Sequence, residues 1–347
     1  MYIMTNTLFK NACLLKNKER PPIWFMRQAG RYLPEYRALR KKYSFLEMIH
    51  TPDLACEVTL QPLRRFGFDA AILYSDILVV SDCFGLHFDF IEGRGPVLRE
   101  NHLNIDDLAK ALSSPYDLEK LQFVFDAITT IKPELSTFNS IPLIGFCGSP
   151  FTVSAYLIEK GSSKDHSMLR EVIKHKPDAL HQILSSLTSV TIDYLKQQIT
   201  SGVEAIQLFD TWASLLSGDD YYSFSLKYIE LIVHAIQHTG VPIIIYSKNS
   251  TTVAPILSKL PIQVMGVDWD FDLSTSKVTY PKLAFQGNLN PHTLKDSQET
   301  ALEDTKRILN EMKDHQGFIF NLGHGILPQT PLENVELIVN TVKSFKK

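Results

Sequence analysis

Eight short runs of the chain are almost continuously apolar: 23–26, 70–74, 142–146, 205–209, 242–246, 263–267, 283–286 and 318–322. A half-exposed strand would alternate. A strand buried on both faces, as in a parallel sheet, reads as a continuous run. Between most of these runs the apolar spacing changes to that of a helix. Residues 177–200 put Leu180, Ile183, Leu184, Leu187 and Val190 on one face. Residues 220–238 do the same with Leu226, Ile229, Ile232, Val233 and Ile236. A closing helix, opened by Thr330-Pro331-Leu332-Glu333 read as a capping box, turns Val335, Ile338, Val339 and Val342 inward. Further helices are expected near 8–15, 34–42, 52–66, 117–135, 251–260 and 297–313. Pro34, Pro52 (after Thr51) and Pro150 (after Ser149) suit first helical positions. Residues 81–104, rich in Gly and aromatics, are expected to form a loop or hairpin excursion.

Eight strand–helix units that close on themselves make an α/β fold, a single (β/α)8 TIM barrel. It would have a parallel eight-stranded core and an active-site cleft at the C-terminal strand ends. No linker, repeat or low-complexity segment divides 1–347, so one domain is expected. The competing architecture is a doubly wound open sheet. No Gly-x-Gly-x-x-Gly follows the first strand, which weakens a dinucleotide reading.

Composition narrows the function. The chain has 347 residues, 44% hydrophobic and 21% charged, an ordinary globular mixture. A net charge of −3 points away from nucleic acid and membrane surfaces, so an anionic ligand must be held by local positive charge. The four cysteines are scattered, with no Cys-x-x-Cys, as in a reduced cytoplasmic protein. The N-terminus lacks the apolar core of a signal peptide, and no run approaches the ~20 apolar residues of a spanning helix.

Candidate chemistry gathers at the expected strand ends. Arg27 and Arg31 follow the first strand, with a helix start at Pro34 just beyond. Forked donors beside a helix N-terminus suit anions, although a basic surface loop has the same composition. Asp76 follows the second strand, and the Phe146–Pro150 turn with Tyr156 follows the third. Asp210-Thr211, Ser247, Asp268, Asn288 and His324 end later strands. Taken singly, Asp76 and Asp210 fit helix caps, Tyr156 a core or rim position and His324 a turn. Their shared end of one barrel favours a site. Zinc ligand spacing and a Gly-x-Ser-x-Gly elbow are both missing. The remaining set suits binding a polyanion and doing proton chemistry on it.

With these residues in view, the sequence resembles the uroporphyrinogen decarboxylase family. The segments MRQAGRYLPEYR (26–37) and GFCGSPFTVSAYLIE (145–159) match its two signature stretches. Residues 45–78, QLFDTW (207–212), GVDW (266–269), QGNLNP (286–291) and FNLGHGILPQTP (320–331) extend the likeness over almost the whole chain. The resemblance implies a one-domain (β/α)8 barrel, usually a homodimer, that uses no metal or organic cofactor. It implies stepwise loss of CO2 from the four acetate side chains of uroporphyrinogen III, giving coproporphyrinogen III. It places the pyrrole-facing acid on Asp76 and carboxylate contacts on Arg27, Gln28, Ala29, Gly30 and Arg31. Tyr156, Thr211 and His324 match family positions, and Ile72, Phe146 and Phe209 would line the pocket. Three departures stand out: Glu159-Lys160-Gly161 for Glu-Gly-Gly, Trp212-Ala213-Ser214 for Trp-Gly-Gly, and Asn290 for Asp.

The chemistry fits such residues. The substrate carries eight carboxylates and four pyrrole N–H donors, and one acid can accept from several N–H groups at once. Each charge-assisted bond contributes roughly 1.5–3 kcal/mol. Losing CO2 from a pyrrole acetate requires ring protonation first, and Asp76 would stabilise the cationic ring. Arg31, Tyr156, His324 or a water they hold could supply the proton. An arginine is a poor acid at a pKa above ~12, whereas an unperturbed histidine titrates near ~6.5. Two rival readings are a corrinoid methyltransferase on the same barrel, which would need a thiol-activating zinc site, and a non-catalytic tetrapyrrole-binding protein.

Overall fold

The computed structural model describes residues 7–347. Its centre is a seven-stranded parallel sheet. The strands are β1 (Ala71–Ile72), β4 (Leu143–Gly148), β5 (Ala205–Asp210), β6 (Ile243–Ser247), β7 (Val264–Gly266), β8 (Ala284–Leu289) and β9 (Phe318–Leu322). Neighbours in the sheet follow chain order. A separate antiparallel hairpin, β2 (Phe88–Ile91) and β3 (Gly95–Leu98), fills part of the 81–104 excursion. β4, β6, β8 and β9 are buried at every position, as two-sided burial requires.

The expected first strand, 23–26, is reduced to a single parallel bridge between Ile23 and Phe320. The reason lies in its hydrogen-bond donors. Met26 N–H donates to the Asn321 side chain and Phe25 N–H to the Gln28 side chain, so a strand ladder has no claim on them. Arg27 then turns the backbone with φ +63°. Ile23 is still tied on both sides: Trp24 N–H donates to Phe320, while the Ile23 carbonyl accepts from Asp69 N–H, just before β1. Arg20 grips Asp69 with two bonds of 2.7 and 2.8 Å, and Asp69 accepts Ile23 N–H.

The helices pack outside this sheet with the faces their spacing predicts. All five apolar positions in each of the two longest expected helices are buried, now seen as Pro177–Ser201 and the run ending at Ile236. The latter opens with a π-helical turn, Tyr222–Leu226. Ser149 caps Pro150–Ile158 by accepting Thr152 N–H. The capping box expected at Thr330 does not form: the closing helix is Leu332–Ser344 with Pro331 as its cap. Thr330 Oγ1 is buried without a hydrogen-bond partner among the described residues. Five short helices escape the sequence reading: Phe45–His50, Ile105–Leu112, Ser167–His175, Leu273–Thr279 and Pro291–Asp296. One connected apolar core runs from Phe9 to Val342. Among the described residues no helix is long and apolar enough to cross a membrane.

Candidate active site

A cavity of about 490 Å3 opens where the chain leaves the Ile23 segment, β1, β4, β5 and β9. Of the residues singled out above, Arg27, Ala29, Gly30, Arg31, Ile72, Asp76, Phe146, Tyr156, Phe209, Thr211 and His324 all line it. Gln28 does not. Its side-chain oxygen accepts Phe25 N–H and its amide donates to the Ala70 carbonyl. Its backbone carbonyl accepts the Tyr32 hydroxyl. Gln28 therefore shapes the arginine loop from behind and is fully buried.

That loop holds its two cations without neutralising them. Arg37 Nη1 donates to the carbonyls of Arg31 and Tyr32, each at 2.8 Å, and so clamps the backbone. Neither Arg27 nor Arg31 makes an ion pair among the described residues, and both are exposed. Gly325 makes room for Arg27, since a Cβ there would lie 2.4 Å from Arg27 Cδ. Gly323 lets the same loop approach the Trp269 backbone, where a Cβ would lie 2.3 Å from its nitrogen. The two glycines beside His324 thus answer close approach.

Asp76 follows the neighbouring strand, β1, and lines the same cavity. One carboxylate oxygen accepts Leu78 N–H at 2.8 Å, and it has no other hydrogen bond among the described residues. Burial pushes its pKa up to about 6, against the opposing pull of the Leu78 bond and the Arg27 charge. At neutral pH it is largely ionised, with lone pairs free to accept donors. Burial holds the Tyr156 phenol above its ordinary value, tempered by a bond from Trp212. Burial, with the charges of Arg27 and Lys248, lowers His324 to about 4. In the unliganded site the imidazole is therefore neutral at pH 7 and offers an N–H donor rather than an acidic proton.

Asp210 takes a different part. It is fully buried and does not line the cavity. Its carboxylate accepts hydroxyls from Ser149, from Ser225 at 2.8 Å and from Thr152 at 3.5 Å. Thr152 lines the cavity and accepts Trp212 N–H, so Asp210 ties the Tyr156 helix to the β5 end. Asp268 likewise serves the backbone, accepting from Asn249 and Ser250 N–H.

Other cavity residues were not among those singled out. Phe45 packs against Phe90 of the hairpin with centroids 4.5 Å apart and the rings tilted by 51°, and it meets Tyr74 edge-on. Phe45, Phe90, Pro96, Trp212, Ile326 and Leu327 add apolar lining to the cavity. Phe45 falls within the 45–78 segment quoted above, but nothing local announces that a hairpin will meet it.

The departures find physical readings. Lys160 adopts φ +59°, a left-handed conformation that glycine takes freely and that costs another residue roughly 1–2 kcal/mol. Its carbonyl accepts Leu98 N–H, and Gly161 bridges Val97, so the loop is tied to the hairpin. Asn290 caps Pro291–Asp296 by accepting His292 N–H, as an aspartate would. The Trp212–Leu215 turn is a single 3-10 turn in which Ala213 is buried.

The family model of uroporphyrinogen decarboxylase (URO-D) matches residues 4–345. The uroporphyrinogen decarboxylase of Vesicomyosocius okutanii subsp. Calyptogena okutanii (strain HA) is 44% identical over 342 residues, 97% of each chain. That of Neisseria meningitidis serogroup C (strain 053442) is 41% identical over 353 residues, covering 100% of this chain and 99% of its own. Among solved structures, a methyltransferase from Methanosarcina mazei superposes with a TM-score of 0.74 over 99% of both chains at 19% identity, a likeness of fold.

Proposed function

The chain belongs to the uroporphyrinogen decarboxylase family, and from that premise we propose how its cavity residues divide the reaction. It is a carboxy-lyase of haem biosynthesis that converts uroporphyrinogen III to coproporphyrinogen III with release of four CO2. The observation that carries the assignment of roles is the cavity itself. It gathers one ionised, under-coordinated acid and two unpaired guanidiniums in a chamber whose remaining lining is mainly apolar and aromatic.

In this reading Asp76 accepts the inward pyrrole N–H groups and stabilises the ring cation formed by protonation. Arg27 and Arg31 hold outer carboxylates through forked bonds. The proton adds to the ring carbon next to the one bearing the acetate, which leaves the acetate-bearing carbon conjugated to the cationic nitrogen as an electron sink. The C–CO2 bond then breaks, its electrons return to the ring, and a second proton converts the exocyclic carbon to methyl. The ring proton is released, so each round consumes one proton and one carboxylate. With His324 and Tyr156 both neutral, they orient the substrate and cavity water, and the proton comes from solvent ordered on Arg31. Ala29 and Gly30 offer backbone, Thr211 a hydroxyl, and Ile72, Phe146 and Phe209 the apolar floor.

For the fold we propose that the Ile23 segment, hydrogen-bonded toward both β9 and the residue before β1, is the eighth stave of a closed one-domain barrel. The cavity then lies at its C-terminal mouth. A homodimer in the cytoplasm is the assembly and compartment we assign. Four unpaired, buried cysteines suit that compartment.

The test is Asp76→Asn incubated with uroporphyrinogen under reducing conditions, with products separated by chromatography. Loss of the ring-cation partner is expected to lower kcat at least about a thousandfold. Coproporphyrinogen formation at near-parent rate would overturn the role.

A further inference from the structure

The charged residues assigned above all come from one side of the cavity. Arg27 and Arg31 follow the Ile23 segment, Asp76 follows β1 and His324 follows β9, while among the described residues none beyond β6, β7 or β8 lines the chamber. A ligand with acids all round its periphery would meet no counter-charge on the far side. A cation follows β6 on that side. Lys248 is the first residue after β6, and the parallel register pairs Asp210 with Ser247, which puts Lys248 level with Thr211 of the cavity wall.

Tyr246, two residues earlier and inside β6, shows what the end of this strand faces. The Tyr246 ring lies 6.2 Å from His324 and 6.1 Å from Phe209, and its hydroxyl donates to the Gly323 carbonyl at 3.0 Å. The end of β6, from which Lys248 follows directly, therefore borders the mouth. The turn bearing Lys248 is firmly built. Asn249 and Ser250 N–H groups donate to Asp268, and Ser250 Oγ donates to Ser247. Asp268, the acid nearest in this turn, is therefore already engaged. The ammonium of Lys248 is exposed and has no hydrogen bond or ion pair among the described residues. Its charge nevertheless reaches the site, being one of those that depress His324.

We propose that Lys248 is a carboxylate subsite on the far rim of the mouth, gripping a peripheral acid of the polyanionic substrate opposite the Arg27–Arg31 loop. This rests on the reading of the cavity as the decarboxylation site. The propionates survive all four rounds, so a rim cation of this kind serves the substrate and each intermediate alike. It anchors the macrocycle as successive acetates are presented to Asp76. A solvated surface lysine would do none of this.

The experiment compares Lys248→Met and Lys248→Arg with the parent chain on uroporphyrinogen, at low and high salt. Lys248→Met is expected to raise KM about five- to tenfold, with kcat changed less than twofold and an unchanged melting temperature. The salt dependence of its kcat/KM flattens, and Lys248→Arg restores KM. Unchanged KM and salt slope in Lys248→Met, beside an active parent and an inactive Asp76→Asn, would sink this subsite and leave the site reading standing. An inactive parent, or an active Asp76→Asn, would instead strike the site reading itself.

Discussion

Asp76 and Asp210 end strands two places apart in the sheet, and burial raises both carboxyls to about 6. Beyond that they diverge. Asp76 keeps part of its surface open to the cavity and accepts one backbone N–H. Asp210 has no exposed surface and accepts three hydroxyls. One acid retains unused lone pairs facing a chamber lined with cations, and the other is saturated inside the scaffold. A raised pKa therefore does not distinguish a working acid from a structural one. The remaining hydrogen-bond capacity, and what it faces, does.

The largest expected effect separates the two by stability. Asp210→Ala strands the Ser149, Thr152 and Ser225 hydroxyls and frees the Tyr156 helix from β5. It should cost about 4 kcal/mol in urea unfolding. Asp76→Ala should cost less than about 1 kcal/mol while abolishing turnover. Equal losses of stability would break the contrast.

The next effect is in pH. The carboxyl of Asp210 titrates near 3.8 when unfolded and about 6 when folded, so the folded chain binds the proton more tightly. Its contribution is fully present below the unfolded value and is lost as pH rises through the folded one, about 3 kcal/mol in all. Asp210→Asn keeps an acceptor and a donor among the same hydroxyls and should remove that fall, giving a flatter stability curve between pH 4 and 7. The kcat/KM profile should be indifferent to this change. Its acid limb, near pH 6, belongs to Asp76, which must be ionised to meet the ring cation. An acid limb that moves in Asp210→Asn would show that the two acids are not separable.

How much of this was legible beforehand varies with the range of the interaction responsible. The inward faces of Pro177–Ser201 and Leu332–Ser344 follow from local periodicity, and packing agrees with it. Asp76, Tyr156 and His324 were legible as strand-end residues within motifs, and the cavity gathers them. Gln28 lies behind the cavity lining because adjacency to Arg27 in a motif says nothing of direction, and its amide turns back to Ala70. The shortened first strand depends on Asn321, whose side chain takes Met26 N–H from nearly the other end of the chain. Phe45 and Phe90 meet only because the β2–β3 hairpin folds over the cavity. At the end of β5, Asp210 reads as a site candidate or a cap with equal ease. Only the three hydroxyls around it decide for scaffold.

The smallest effect tests those hydroxyls one at a time. Ser225 is buried in the π-helical turn and donates to Asp210 Oδ2, the oxygen that Ser149 and Thr152 leave free. At pH 8 the acceptor is ionised, and Ser225→Ala removes a bond to a charge, worth about 2 kcal/mol. At pH 5 the acceptor is protonated, and the same change removes a neutral bond worth about 1 kcal/mol. The cost of Ser225→Ala should therefore roughly double between these pH values in urea titrations. Asp210→Asn, which stays neutral throughout, should erase that difference in the double variant. A cost independent of pH would mean that Asp210 keeps one protonation state over this range. The match with Asp76 would then be lost, and the saturated acid would have to be explained by packing rather than by charge.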